Sequence, residues 1–192
     1  MDLLPWLAPH PDLAAAIGQA RHEADPAQRL ACAATLAGHR RDFTLGNRID
    51  RLAAEGLQAI AGGAASPGLT PMRLAVLASH TVDHLVPAIR VAGLHRRLAL
   101  SVHVAAYGQY RQALLGEDPA LQAFAPQVIL LVLDEQDSPL QLALTASQQE
   151  VDEAVASRVN ELRQLWRAAR SRHAPQVVQQ AFVPPHAPLF GA

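Results

Sequence analysis

The sequence predicts an α/β protein, with a parallel sheet of four or five strands flanked by helices and an N-terminal helical segment. Three observations carry this. Short apolar runs without alternation recur four times, as strands buried on both faces require. Stretches of helical period fall between them, and strand–helix alternation implies right-handed parallel crossovers. Before the first strand, about 68 residues show helical signals only.

The helical segment opens at Asp12, whose carboxylate suits a helix N-cap, and runs to Arg21. A second helix follows Asp25-Pro26, proline being preorganised for a first turn, and passes through Leu30, Ala33, Leu36 and Ala37. A third takes Thr44 as its cap, buries Ile49, Leu52, Leu57 and Ile60, and stops at Gly62-Gly63. Residues 62–71 read as a linker. The domains expected are therefore 1–68, helical, and 69–192, α/β.

In the second part, strands are expected at Arg73 to Ala78, Leu98 to Ala105, Val128 to Leu133 and Val177 to Val183. Helices are expected at Thr81 to Ala92, stopped by Gly93, and at Gln109 to Leu115. The longest runs from Glu150 to Arg172, with Val151, Val155, Val159, Leu162, Leu165, Trp166 and Ala169 in one apolar stripe. No helix is expected after the last strand to cover it, so either it is an edge strand or the chain is a piece of a longer polypeptide, and the second is the expectation.

Composition excludes several chemistries. Hydrophobic residues make up 50% and charged residues 17%, a globular balance. The net charge is −1, so no global field draws in nucleic acid or an anionic membrane. All 16 basic residues are arginine, which removes Schiff-base and P-loop lysine chemistry. Cys32 is the single cysteine and sits in a helix without a nucleophile motif. No run approaches the roughly 18 apolar residues of a membrane span, and no signal peptide is legible, so a cytoplasmic location is expected.

Ligands of open parallel sheets bind beyond the carboxyl ends of the strands. That rule selects Ser79, His80 and Thr81; Tyr107, Gln109 and Tyr110; Asp134 to Asp137; and Pro184-Pro185-His186. Ser79 stands at a strand–helix turn where a nucleophile would stand, with His186 as a base and Asp134 or Asp137 as its orienter. Equally, Ser79 or Thr81 is a helix cap. His80 and His84, four apart with Asp83 between, would share a helical face as metal ligands do, but no third ligand is indicated and no metal is expected. Arg163, Arg167, Arg170 and Arg172 lie opposite the apolar stripe, a solvated face or a surface for an acidic carrier. No Gly-x-Gly-x-x-Gly or Walker loop supports nucleotide binding.

Several phrases occur together: Leu4-Pro-Trp-Leu7, Arg41-Asp-Phe-Thr-Leu-Gly-Asn-Arg-Ile-Asp50 and Leu74-Ala-Val-Leu-Ala-Ser-His-Thr-Val-Asp-His-Leu85. Tyr107-Gly-Gln-Tyr-Arg-Gln112, Phe124-Ala-Pro-Gln-Val128, Val178-Gln-Gln180 and Pro188-Leu-Phe-Gly191 follow. In this order they resemble the N-terminal, SGNH-hydrolase-like domain of FkbH-like proteins of the haloacid dehalogenase superfamily. The resemblance implies a flavodoxin-like sheet ahead of a haloacid-dehalogenase-like domain, outside this sequence, that holds the catalytic aspartates, the thioester cysteine and magnesium. It also implies loading of a three-carbon glyceryl unit onto an acyl carrier protein in polyketide biosynthesis. Against the hydrolase pattern, Ala78-Ser79-His80 replaces Gly-Asp-Ser, so His80 stands where the nucleophile would. Leu133-Asp134-Glu135 lacks the oxyanion-hole Asn, and no terminal Asp-x-x-His occurs. The expectation is a non-catalytic domain without a cofactor of its own, positioning carrier or substrate, with ligand contacts at Ser79, His80, Thr81, Asp83, Tyr107, Gln109, Tyr110 and Asp134. The alternative is a serine esterase or acyltransferase using Ser79.

Overall fold

A computed structural model describes residues 4–66, 68–134, 140, 142–143, 145–172 and 176–181. Four strands form one parallel sheet flanked by helices: β1 (Thr70–Ala78), β2 (Leu98–Val104), β3 (Val128–Val132) and β4 (Gln176–Gln179), in the order β2-β1-β3-β4. The α/β class read from the alternation of apolar runs and helical periods is the one observed. β3 pairs with β1 from Leu74↔Val128 to Ala78↔Val132, and with β4 from Val128↔Gln176 to Leu131↔Gln179. β1 starts earlier than expected, at Thr70. Pro71 had marked that stretch as linker, yet proline is tolerated at the start of a strand. By contact density the chain divides into two compact units, Met1–Arg73 with Val82–Val102 and Leu74–Thr81 with His103–Ala192. The two units interleave along the sequence.

The first unit holds α1 (Leu13–Ala20), α2 (Pro26–Leu36), α3 (Phe43–Ala61) and α4 (Val86–His95). Aspartates start three of them. Asp12 accepts from the Ala15 N–H at 2.9 Å, Asp25 from Ala27 at 3.0 Å and Asp42 from Leu45 at 2.7 Å. Each satisfies an orphan amide and places negative charge at the positive helix end. The cap of α3 is thus Asp42, not Thr44. Leu13, Ile17, Leu30, Ala33, Ile49, Leu52, Leu57 and Ile60 fill this core together with Val91, Leu94 and Ala99. Gly56 lets α3 approach α2 closely, since a Cβ there would lie 2.7 Å from Leu30 Cβ and 2.9 Å from the Pro26 carbonyl oxygen. Gly93 does not end α4, which continues to His95; its missing side chain admits Leu100, whose Cδ1 would lie 2.7 Å from a Cβ.

The expected helix from Thr81 also begins later. Asp83–Leu85 form a 3-10 turn and α4 starts at Val86, with no side-chain cap from Ser79 or Thr81. Pro87 explains this: its ring would strike the Asp83 carbonyl if the α-helix extended back. His80 and His84 therefore do not share a helical face.

The second unit holds α5 (Tyr110–Leu115), α6 (Pro119–Phe124) and α7 (Gln148–Arg172). Its core joins Ala75, Leu77, Ile129, Leu131 and Leu133 to Leu114, Leu121, Leu162, Leu165 and Ala169. The stripe expected along the whole of α7 is buried only in its later half, and Val155 and Val159 are exposed. Trp166 donates its indole N–H to Gln179 at 2.7 Å, which fastens α7 to β4.

α7 opens on a reciprocal cap. The Ser147 N–H donates to Glu150 at 2.7 Å, the Ser147 hydroxyl donates to the same carboxylate at 2.8 Å, and the Glu150 N–H donates back to Ser147 Oγ at 3.3 Å. The Ser147 amide, then its hydroxyl, holds the Glu150 carboxyl below its usual range. Its folded pKa is the depressed one. The cap's contribution is therefore complete above the ordinary carboxylate range and is lost as pH falls through the folded value. Hydrogen exchange at residues 148–151 is expected to accelerate in that acid window more than exchange at 162–169, and Glu150→Gln should remove the difference. Among the described residues no helix is long and apolar enough to cross a membrane.

Candidate functional site

The carboxyl ends of β1 and β3 bring Ser79, His80 and Asp134 together within the second unit. Parallel pairing sets this up: Ala78 lies opposite Val132, so the residues just after them leave the sheet side by side. The Ser79 N–H extends the ladder, donating to the Val132 carbonyl at 3.1 Å. Its hydroxyl accepts from the Asp134 N–H at 3.0 Å, and the residue is 6% exposed. His80 Nδ1 lies 3.4 Å from Ser79 Oγ and 3.8 Å from Asp134 Oδ2. Both the imidazole and the carboxylate are partly exposed.

Chemically, this arrangement holds more than it reacts. A nucleophilic serine needs an approachable oxygen, a base to take its proton and amide donors aimed at the developing oxyanion. Here the Asp134 amide points at the hydroxyl oxygen itself, which makes Ser79 a bridge between the ends of β1 and β3. His80 sits at the outer limit of hydrogen bonding to Oγ. Its contact with the Asp134 carboxylate is longer than a hydrogen bond.

The other candidates separate. His186 and Asp137 lie outside the described residues, as do Glu135 and Pro184-Pro185. Thr81 is exposed. Asp83 and His84 are exposed in the 3-10 turn of the first unit. Tyr107 is exposed, and Gln109 lines a cleft of about 330 Å³ with His103, Gln112, Glu117 and Asp118. Tyr110 is buried in the core of the second unit, where its hydroxyl accepts from Arg111 Nε at 3.0 Å. Arg163, Arg167 and Arg170 are exposed on α7, while Arg172 donates to the carbonyls of Leu115 and Gly116. Among the described residues no group of three His, Cys, Asp or Glu is placed to hold a metal ion.

Sequence reasoning missed His103. Its ring packs on Phe124 at 5.3 Å between centroids, and its buried Nε2 has no hydrogen-bond partner among the described residues. The signal was available: a lone imidazole in the otherwise apolar end of β2, at the rim where ligands bind.

No family model matches the chain, and no curated protein matches it. One solved structure does: the N-terminal part of the protein BF1531 from Bacteroides fragilis, which contains a phosphatase domain and was crystallised as a complex with Mg. The TM-score is 0.56 at 14% identity, covering 79% of this chain. The likeness is one of fold. The match takes in 36% of that solved chain, so this chain is similar to part of a longer N-terminal region.

Proposed function

We propose that this chain is a non-catalytic, SGNH-like accessory domain of an FkbH-type protein. It presents an acyl carrier protein, or the three-carbon unit to be loaded on it, to a haloacid-dehalogenase-like transfer domain. The observation that carries the reading is the Asp134 amide bound to the Ser79 hydroxyl. It commits Ser79 to a structural bond and withdraws the amide that an oxyanion would need. The similar fold in a protein with a phosphatase domain supports the pairing with a transfer domain. The exposed Arg163, Arg167 and Arg170 supply a positive surface for an acidic carrier. Magnesium belongs, in this reading, to the partner domain.

Titrating the isotope-labelled chain with an acidic carrier protein tests it. Amide shifts confined to one surface are expected, and their absence at millimolar carrier removes the docking role. One distance favours a second reading, an esterase: the 3.4 Å from Ser79 Oγ to His80 Nδ1. Ser79→Ala decides between the two. On an activated aryl ester, variant and parent are expected to give the same background rate. The variant should lose about 1–2 kcal/mol of stability, because the hydrogen bond from the Asp134 N–H to the Ser79 hydroxyl is removed. A rate that falls with the hydroxyl establishes the esterase instead.

A further inference from the structure

The first unit contains a cleft that neither the rim nor the carrier-docking reading uses. It measures about 560 Å³ and is lined by Arg21, Arg29, Arg48, Arg51, Leu52 and Glu55. Four of the chain's 16 basic residues meet one carboxylate there, in a protein whose net charge is −1. Three helices supply them. Arg21 is the C-cap of α1, Arg29 comes from α2, and Arg48, Arg51 and Glu55 recur at three- and four-residue spacing on α3, which puts them on one face.

Three of these guanidinium groups, those of Arg29, Arg48 and Arg51, are anchored at their edges. Arg29 pairs with Glu55 and donates to the Glu23 carbonyl at 2.7 Å. Arg48 donates to the Ala14 carbonyl at 3.2 Å, and Arg51 through Nε to the Asn47 carbonyl at 3.3 Å. A guanidinium has five N–H donors, so each anchor fixes the fork without exhausting it. Glu55 neutralises one charge and leaves three that repel one another across the cleft. An anion relieves that repulsion. Three such charges, Arg21 at the end of α1 with Arg48 and Arg51 on α3, suit a doubly charged group with several acceptor oxygens better than the single charge of a carboxylate.

We infer that this cleft binds a small phosphate monoester through Arg21, Arg48 and Arg51, with Arg29 held in place by Glu55. The site goes beyond the accessory role proposed above. Carrier docking and ester turnover are read elsewhere on the molecule, so failure of either idea leaves the other standing.

Calorimetric titration of the full chain with glycerol phosphate tests it. Saturable binding is expected, weakening as salt is raised because the charges are exposed. Arg51→Glu and, separately, Arg21→Glu should each weaken it by about tenfold or more. Both side chains are exposed, and thermal melts will show that the variants fold. Glu55→Gln should act in the opposite direction and tighten binding, since it removes the competing carboxylate. No heat up to about 10 mM ligand overturns the inference. So do charge-reversed variants that bind as the parent does, and so does binding of a phosphoserine peptide when glycerol phosphate gives none.

Discussion

Arg90→Ala should destabilise the first unit by about 3–4 kcal/mol, read as a fall in the urea midpoint. Arg90 reaches from α4 to α3 and grips Asp50 with both arms of its fork, Nε to Oδ1 at 2.7 Å and Nη2 to Oδ2 at 2.6 Å. The Asp50 side chain is 7% exposed against 30% for Arg90. That asymmetry decides which deletion costs more. Without Arg90 a carboxylate is stranded in the interior, whereas without Asp50 the guanidinium still reaches water. Asp50→Ala should therefore be the milder change, and Asp50→Leu with Arg90→Met should recover much of the loss. The hydrogen bonds to Asp50 raise the Arg90 pKa, partly opposed by burial, so loss of the guanidinium's proton weakens the pair only in strong alkali. An Arg90→Ala midpoint close to the parent's would show the pair to be dispensable.

Leu131→Ala should cost the second unit a similar amount, about 3–4 kcal/mol. Leu131 is fully buried in β3, between β1 and β4, and belongs to the same core as Leu77, Leu114, Leu121 and Leu165. The backbone ladder holds those neighbours in place, so the truncated site collapses little and the cavity term adds to the lost transfer energy. Leu131→Met, which keeps the volume, should cost less than about 1.5 kcal/mol. Denaturant melts of both variants check the pair. Equal losses would mean that volume at this position is not what matters.

What the sequence made legible follows from how local each signal is. Asp12 and Asp25 announce their helices because an N-cap depends on two or three neighbouring residues. The same logic misplaced the third cap, since Asp42 and Thr44 both qualify by type and only the Leu45 amide chooses between them. α6 went unread although Asp118-Pro119 repeats the Asp25-Pro26 signature, because six residues give no periodicity to confirm it. Ser147 and Glu150 likewise spell a capping box one turn ahead of the expected start of α7. The convergence of Ser79 and Asp134 was readable from the parallel topology. The part each plays was not, because it hangs on the direction of one amide hydrogen. Arg21, Arg29, Arg48 and Arg51 were invisible as a group, being scattered over 31 positions until three helices gather them.

The interleaving of the two units bears on how the protein emerges from a ribosome. Val91, Leu94 and Ala99 complete the oily interior begun by the first three helices, and Arg90 supplies the counter-ion for Asp50. A nascent chain arrested just after the third helix therefore carries an unfinished hydrophobic surface and a carboxylate awaiting its mate. Cotranslational collapse of those helices into their final arrangement must wait until the second strand has cleared the exit tunnel.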